Sequence, residues 1–239
     1  MEKLMEIRAL KAWYTPEKPV LKGLDLEIED HSVIGLIGLN GAGKTTLMNV
    51  ICGLHEGFEC SRSVVRGSDM TFKDKSFKAS RYIVFSEDES FGYFSFDDYL
   101  TYVFGCYRKT PYSACIDELV ERFGFGEFRS MLIKDLSLGN RRKAYLITGF
   151  ALKPELLLLD EPVNGLDFTS TETLYSLIAG YKQYGTVLFS SHILESVTLT
   201  SDKVLVLENG VIAKTYSGSE INAESIRASL GAEGAEENV

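Results

Sequence analysis

The stretch Gly38-Leu-Asn-Gly-Ala-Gly-Lys-Thr-Thr46 is entered from the apolar run Val33–Ile37 and left through Leu47-Met-Asn-Val-Ile-Cys52, and it leaves this chain few alternatives. It reads as strand, glycine-rich loop and helix. The spacing G-x-x-x-x-G-K-[ST] is met by Gly38, Gly43, Lys44 and Thr45. Glycines let successive backbone N–H groups turn inward into an anion-binding nest, and the helix that follows adds the positive end of its dipole. Gly38, Asn40, Gly41, Ala42, Gly43, Lys44, Thr45 and Thr46 are therefore the expected contacts for the phosphates of a nucleotide. Lys44 would neutralise the outer phosphates. The Thr45 hydroxyl suits Mg²⁺, a hard cation that takes oxygen ligands and keeps several waters.

The 239 residues are 45% apolar and 25% charged, ordinary globular composition with enough material for a sizeable core. A net charge of −9 and a pI near 5.0 argue against a nucleic-acid clamp, which needs a basic face to displace counterions. The one local basic cluster is Arg141-Arg-Lys143. Cys52, Cys60, Cys106 and Cys115 form no C-x-x-C pair, so neither zinc nor a disulfide framework is expected and reduced thiols are the default. No leader or spanning segment is expected: the first residues lack an apolar stretch, and the longest nearly apolar run, 144–152, is too short to cross a bilayer. A membrane role would have to come through a partner.

Residues 4–14 read as a first strand, and 20–28 end in clean alternation, the mark of a half-buried antiparallel strand. Val33–Ile37 is apolar on both sides, as in a parallel sheet covered by helices. Between 54 and 80 no periodicity stands out, with short strands expected near 63–66 and 81–85. Ser95-Phe-Asp-Asp98 has the capping-box spacing and opens a helix to about Tyr107. Thr110-Pro111 is expected to start a second, amphipathic through Ile116, Leu119, Val120 and Phe123. Ser137 is the expected N-cap of a third helix that ends before Pro154. Residues 155–160 then form a buried strand ending in acid, 169–181 a helix and 186–190 a strand. Asn209-Gly210 signals a hairpin between 203–207 and 211–216, and a helix near 220–230 precedes an acidic, glycine-rich tail at 231–239 expected to be flexible. The expected fold class is α/β: a P-loop NTPase core with a mostly parallel sheet, formed by 1–88 and 151–230 together with an antiparallel β part, and an inserted helical subdomain at 89–150.

Asp160 and Glu161 close a buried strand at its C-terminal end, where ligands bind in α/β sheets. Asp160 is the natural partner of a Mg²⁺ held by Thr45, and Glu161 is placed to orient or deprotonate an attacking water. Between loop and acids lies Leu136-Ser-Leu-Gly-Asn140; after them come Asn164-Gly-Leu-Asp167 and a lone His192 at the end of a strand.

In this order the motifs resemble the nucleotide-binding subunits of ATP-binding-cassette (ABC) transporters, over about residues 1–215. The resemblance implies that residues 38–46 are the Walker A loop, 156–160 the Walker B strand and Glu161 the catalytic glutamate. It implies that residues 136–140 are the signature motif, whose Ser137 hydroxyl and Gly139 N–H meet the γ-phosphate bound by another subunit, that Asp167 belongs to the D-loop, and that His192 is the switch histidine on the γ-phosphate. Tyr14 matches the aromatic that stacks on adenine, with Trp13 a neighbouring competitor. Glu87 falls where the family has the Q-loop glutamine and is expected to join Thr45 and Asp160 in metal or water contacts. The catalytic set is thus Glu161, His192 and Lys44. Leu138 and Asn140 depart from the usual L-S-G-G-Q; the leucine, like Glu87, is similar to subunits of drug, lipid or polysaccharide exporters.

The same resemblance implies an ATPase that uses ATP and Mg²⁺, dimerises with a second ATP-binding subunit, identical or homologous, and drives an integral membrane permease from the cytoplasmic face of the membrane. No nucleic-acid partner is expected. Phe91, Tyr93, Phe94 and Phe96, just after Glu87, are the expected permease-facing cluster. A soluble ABC ATPase acting on nucleic acid, ribosomes or protein assembly is the alternative, although it usually carries a basic arm, a second cassette or a long coiled coil; a P-loop metabolite kinase leaves the signature and His192 unexplained.

Overall fold

The alternation at residues 20–28 becomes one layer of an antiparallel sheet in the computed structural model, which describes residues 2–230; the tail expected at 231–239 lies outside the described residues. Strands β1 (Lys3–Thr15) and β2 (Lys18–Glu29) pair with Ile7 opposite Leu26 and Leu10 opposite Leu24. Leu21, Leu24, Leu26 and Ile28 are buried while Asp25 faces water. Residues 54–80, where no pattern stood out, add β4 (Phe58–Glu59), β5 (Arg62–Val65) and β6 (Ser68–Asp69) to this sheet and then a short helix, α2 (Lys75–Ser80). Two aromatic anchors, Phe72 and Phe77, hold that segment down, and both are buried. Isolated anchors in a polar stretch leave no period to read.

The second sheet carries the order β11-β10-β3-β9-β8-β7, built from β3 (Val33–Ile37), β7 (Arg81–Val84), β8 (Leu156–Leu159), β9 (Thr186–Ser191), β10 (Lys203–Glu208) and β11 (Val211–Ser217). All neighbours are parallel except β11, the antiparallel edge made by the hairpin. Asn209 (φ 49°) and Gly210 (φ 83°) are both left-handed, as the expected two-residue turn requires. The sheet separates two cores. Val33, Ile37, Leu157, Leu159, Val187 and Phe189 point one way, against α3 (Phe96–Cys106), α4 (Ser113–Arg122), α5 (Leu138–Leu152), α6 (Phe168–Gly180), α7 (Leu194–Thr200) and α8 (Ala223–Leu230). Ile34, Leu36, Leu156, Leu158 and Leu188 point the other way, against α1 (Lys44–Ile51), β1 and β2. Strands lined by core on both faces are continuously apolar, which is why β3 and β8 were legible.

The helical stretch departs from expectation at one start. Pro111 stands outside α4, which begins at Ser113. The chain leaving α3 turns through Arg108 (φ 53°), and the Lys109 ammonium donates to the carbonyls of Leu152 (2.8 Å) and Lys153 (3.2 Å) at the end of α5. That tie fixes the chain just ahead of the expected start at Thr110-Pro111. Ser95 caps α3 as the box predicts, accepting from the Asp98 N–H while the Asp98 carboxylate accepts from the Ser95 N–H (3.1 Å).

Phe96 and Phe125 are fully buried, edge to face with centroids 5.2 Å apart, in the same core as the parallel sheet. Phe125→Ala is expected to lower unfolding free energy by about 3–5 kcal/mol, the usual cost of a large aromatic cavity, in urea titrations of the whole chain. A loss below about 1 kcal/mol would mean that the helical stretch contributes little to this core.

Candidate functional site

The register of the parallel sheet brings the C-terminal ends of β3, β9, β8 and β7 side by side. The loop after β3 turns back through Gly41 (φ 83°) and Gly43 (φ 107°), conformations that side chains resist. Gly43 is the N-cap of α1 and no side chain caps that end, so the first-turn N–H groups face the loop's hollow. The hollow is a cavity of about 390 Å³ lined in part by Tyr14, Asn40, Gly43, Lys44, Thr45 and Glu161. Lys44, 7% exposed, donates to the carbonyls of Gly38 (2.8 Å) and Leu39 (3.3 Å) and sits 3.4 Å from Glu161 Oε1. The Tyr14 hydroxyl lies 3.5 Å from Thr46 Oγ1, and its ring, 68% exposed, meets His55 edge to face. Trp13 turns away, packed over Gly57, which leaves Tyr14 as the aromatic at the cavity.

The acids complete one hydrogen-bonded chain. Thr45 Oγ1 donates to Asp160 Oδ2 (2.8 Å), Ser190 Oγ donates to Asp160 Oδ1 (2.6 Å), and the Glu161 N–H donates to Ser190 Oγ (2.8 Å). Asp160 is 1% exposed, and both its oxygens are engaged by hydroxyls. Glu161 is held at φ 47°, a left-handed conformation costing on the order of 1–3 kcal/mol for a residue with a side chain. Its Oε2 meets His192 Nδ1 at 2.8 Å. The strained turn aims the carboxylate at both Lys44 and His192. Ser190 was not singled out in the sequence; its signal is a polar pair, Ser190-Ser191, closing a buried strand.

The remaining expected residues lie elsewhere. Ser137 is exposed at the start of α5, where its hydroxyl accepts from the Asn140 N–H (3.2 Å). Gly139 is small for a local reason: a Cβ there would come within 2.4 Å of the Gly165 carbonyl oxygen. Asp167 caps α6 by accepting from the Ser170 N–H (2.8 Å) and pairs with Lys143 (2.8 Å). That ammonium, helped by Ser170, holds its carboxyl well below the usual carboxylate range. Glu87, expected beside Thr45 and Asp160, instead lies exposed in a groove of about 490 Å³ whose walls include Asp88, Leu138, Arg141, Arg142 and Tyr145. Among the described residues no cluster of three or more carboxylate, imidazole or thiol side chains forms a metal cage. Thr45 and Asp160, joined at 2.8 Å, are the pair of oxygens that could meet a cation. Such a sparse set fits Mg²⁺, which is bound through one or two protein oxygens plus substrate phosphates and water.

A family profile described as ABC transporter matches residues 21–164, more than half of the chain. The chain belongs to the ABC transporter family. It is 35% identical over 217 residues to the putative ABC transporter ATP-binding protein AlbC of Bacillus subtilis (strain 168), spanning 88% of this chain and 90% of that protein. It is 30% identical to the lantibiotic transport ATP-binding protein SrtF of Streptococcus pyogenes, over 91% of this chain and 93% of that one. The fold matches a solved ATP-binding subunit of an ABC transporter with TM-score 0.83 at 24% identity, covering 98% of this chain and 97% of that one. As a member of this family the chain is an ATP-binding subunit that hydrolyses ATP to power transport, dimerises and works with membrane permease components. No helix among its described residues is long and apolar enough to cross a membrane.

Proposed function

We propose that this ABC subunit drives an exporter, closing with a second ATP-binding subunit, identical or homologous, on two Mg²⁺-ATP molecules and passing the motion to an integral permease at the cytoplasmic face of the membrane. The observation that carries this reading is the division of the site. The cradle and Glu161 line one cavity, with Asp160 bonded to Thr45 and His192 bonded to Glu161, while exposed Ser137 and half-buried Gly139 at the tip of α5 are not among its walls. One chain supplies half of each of two sites, and ATP is the differential ligand that favours the closed pair. Residues 89–150 act as the moving signature subdomain.

At the cavity, the backbone of residues 38–46 binds the phosphates and Tyr14 offers its ring to the base. Thr45 and Asp160 would hold Mg²⁺, which neutralises charge on the phosphate oxygens. Lys44, now spent on its own loop carbonyls, turns to the outer phosphate and releases Glu161 Oε1 to take a proton from water, while His192 fixes the other oxygen. Leu138 is 57% exposed at the signature tip, and the export direction draws on that residue together with the lantibiotic transport name of SrtF.

The permease surface is an aromatic groove of about 290 Å³, with Leu54, Phe85, Phe91, Tyr99 and Tyr102 among its walls. The cluster expected from sequence divides. Phe96 is core, and Tyr93 takes the Lys134 ammonium over its ring at 4.2 Å. Phe91 and Phe94 stack on Tyr102. Leu54 and Tyr102, 60% and 51% exposed, are apolar surface open to a partner helix laid in the groove, and Tyr93, outside its lining, is 80% exposed. The protein is expected to co-purify with an integral membrane protein in mild detergent, and Leu54→Asp with Tyr102→Asp to release it with ATP affinity unchanged. Recovery solely with ribosomes or nucleic acid, and no membrane partner after crosslinking in cells, would overturn the transporter reading.

A further inference from the structure

The segment between β7 and α3 is gripped from one side by the first turns of α5. The Arg142 guanidinium donates to two successive carbonyls, those of Phe85 and Ser86. Tyr145 Oη donates to the Asp88 carbonyl at 3.4 Å, and Arg141 lies 3.6 Å from the Glu89 carboxylate. The carbonyl just before these, that of Val84, accepts from the Asp160 N–H at 2.9 Å. Three consecutive carbonyls at the end of β7 are thus tied first to the acid of the hydrolytic site and then twice to one side chain of the signature helix.

Arg142 is 4% exposed, and no carboxylate closes a salt bridge with it among the described residues. A buried guanidinium without a bonded anion is costly and persists where its surroundings compensate it. Burial pulls its pKa below the ordinary guanidinium value, against the opposing fields of Asp160, Glu87 and Glu161. The cation therefore stands among the three acids of this region while its hydrogen bonds are spent on backbone. Phe85 and Asp88 line both the groove beside Arg142 and the aromatic groove on the far side, so the gripped segment is the wall between them.

We propose that Arg142 is a positioning residue for ATP hydrolysis: it holds the wall at residues 85–88 and, through the Val84–Asp160 bond, fixes Asp160 and Glu161 in their working geometry. The inference rests on the hydrolytic roles proposed for those two acids. It makes no contact with the cradle, so the ATP-binding step is left alone. Lysine keeps the charge but has one donor head in place of the fork, and methionine keeps only the length.

The test is steady-state ATP hydrolysis by the whole chain for wild type, Arg142→Met, Arg142→Lys and Glu161→Gln, with thermal unfolding of each. The expected result is a fall in kcat of about 10²-fold for Arg142→Met, the scale of a displaced catalytic group, with KM for ATP within about twofold of wild type and most of the loss recovered by Arg142→Lys. The proposal is overturned if Arg142→Met keeps wild-type kcat, if the loss appears in KM instead, or if both variants lose activity equally and in step with a lowered Tm. A Glu161→Gln variant that still turns over at the wild-type rate would instead remove the hydrolytic reading itself, whatever Arg142 does.

Discussion

Glu161→Gln is expected to bind ATP as tightly as wild type and to hydrolyse it at least about 10²-fold more slowly, the scale of losing a general base. The binding groups are untouched: Lys44 keeps the Gly38 and Leu39 carbonyls, and Thr45 keeps Asp160. The amide has the shape of the carboxylate. It also keeps the backbone bond to Ser190, because that bond is made by the residue 161 N–H. Both residues meet the same left-handed strain at φ 47°, so folding should not separate them. What is lost is the carboxylate itself, whose two oxygens face Lys44 and His192 Nδ1, and with it the general base. A phosphate-release assay run beside calorimetric ATP binding reads the two steps separately. Turnover near wild type would remove Glu161 from its role, and a parallel loss of affinity would make it a binding residue.

The parts of this molecule legible in the sequence are those where a local rule and the tertiary structure ask for the same residues. The loop at residues 38–46 needs its glycines for backbone shape, β8 needs four leucines because both its faces are buried, and Ser95 and Ser137 are caps wherever a helix starts at their position. The assembly of Thr45, Asp160, Glu161 and His192 was also legible, since each closes or follows an element of the parallel sheet and such ends converge. The setting of Glu87 was not legible, because its position in the chain says which segment it rides on, whereas the grip of Arg142, Tyr145 and Arg141 decides where that segment lies. Arg142 itself was invisible: in Arg141-Arg-Lys143 three cations look alike, and only packing separates one that is buried on carbonyls from one paired to Asp167. The same limit applies to the neighbouring rings Tyr93 and Phe96, alike in the sequence, of which the fold leaves the first 80% exposed and buries the second.

The proposed function requires a working site made by two chains. Ser137 is exposed at the tip of α5, Gly139 beside it is half-buried and kept small by the Gly165 carbonyl, and neither lines the cavity of its own chain. A slow Glu161→Gln chain loaded with Mg²⁺-ATP should therefore accumulate as a closed dimer, while the nucleotide-free chain stays monomeric. Adding Ser137→Arg should abolish the dimer outright, because a guanidinium at the tip fills the place where the other chain's phosphate would dock. ATP binding by the monomer should survive, since the cradle is distant in contacts from Ser137. Light scattering of Glu161→Gln and of Glu161→Gln with Ser137→Arg, each with and without Mg²⁺-ATP over a wide concentration range, tests this most directly. The account predicts a doubling of mass for the first protein that requires ATP and rises with concentration, and none for the second; a dimer indifferent to ATP, or one that forms equally well with Ser137→Arg, would contradict it.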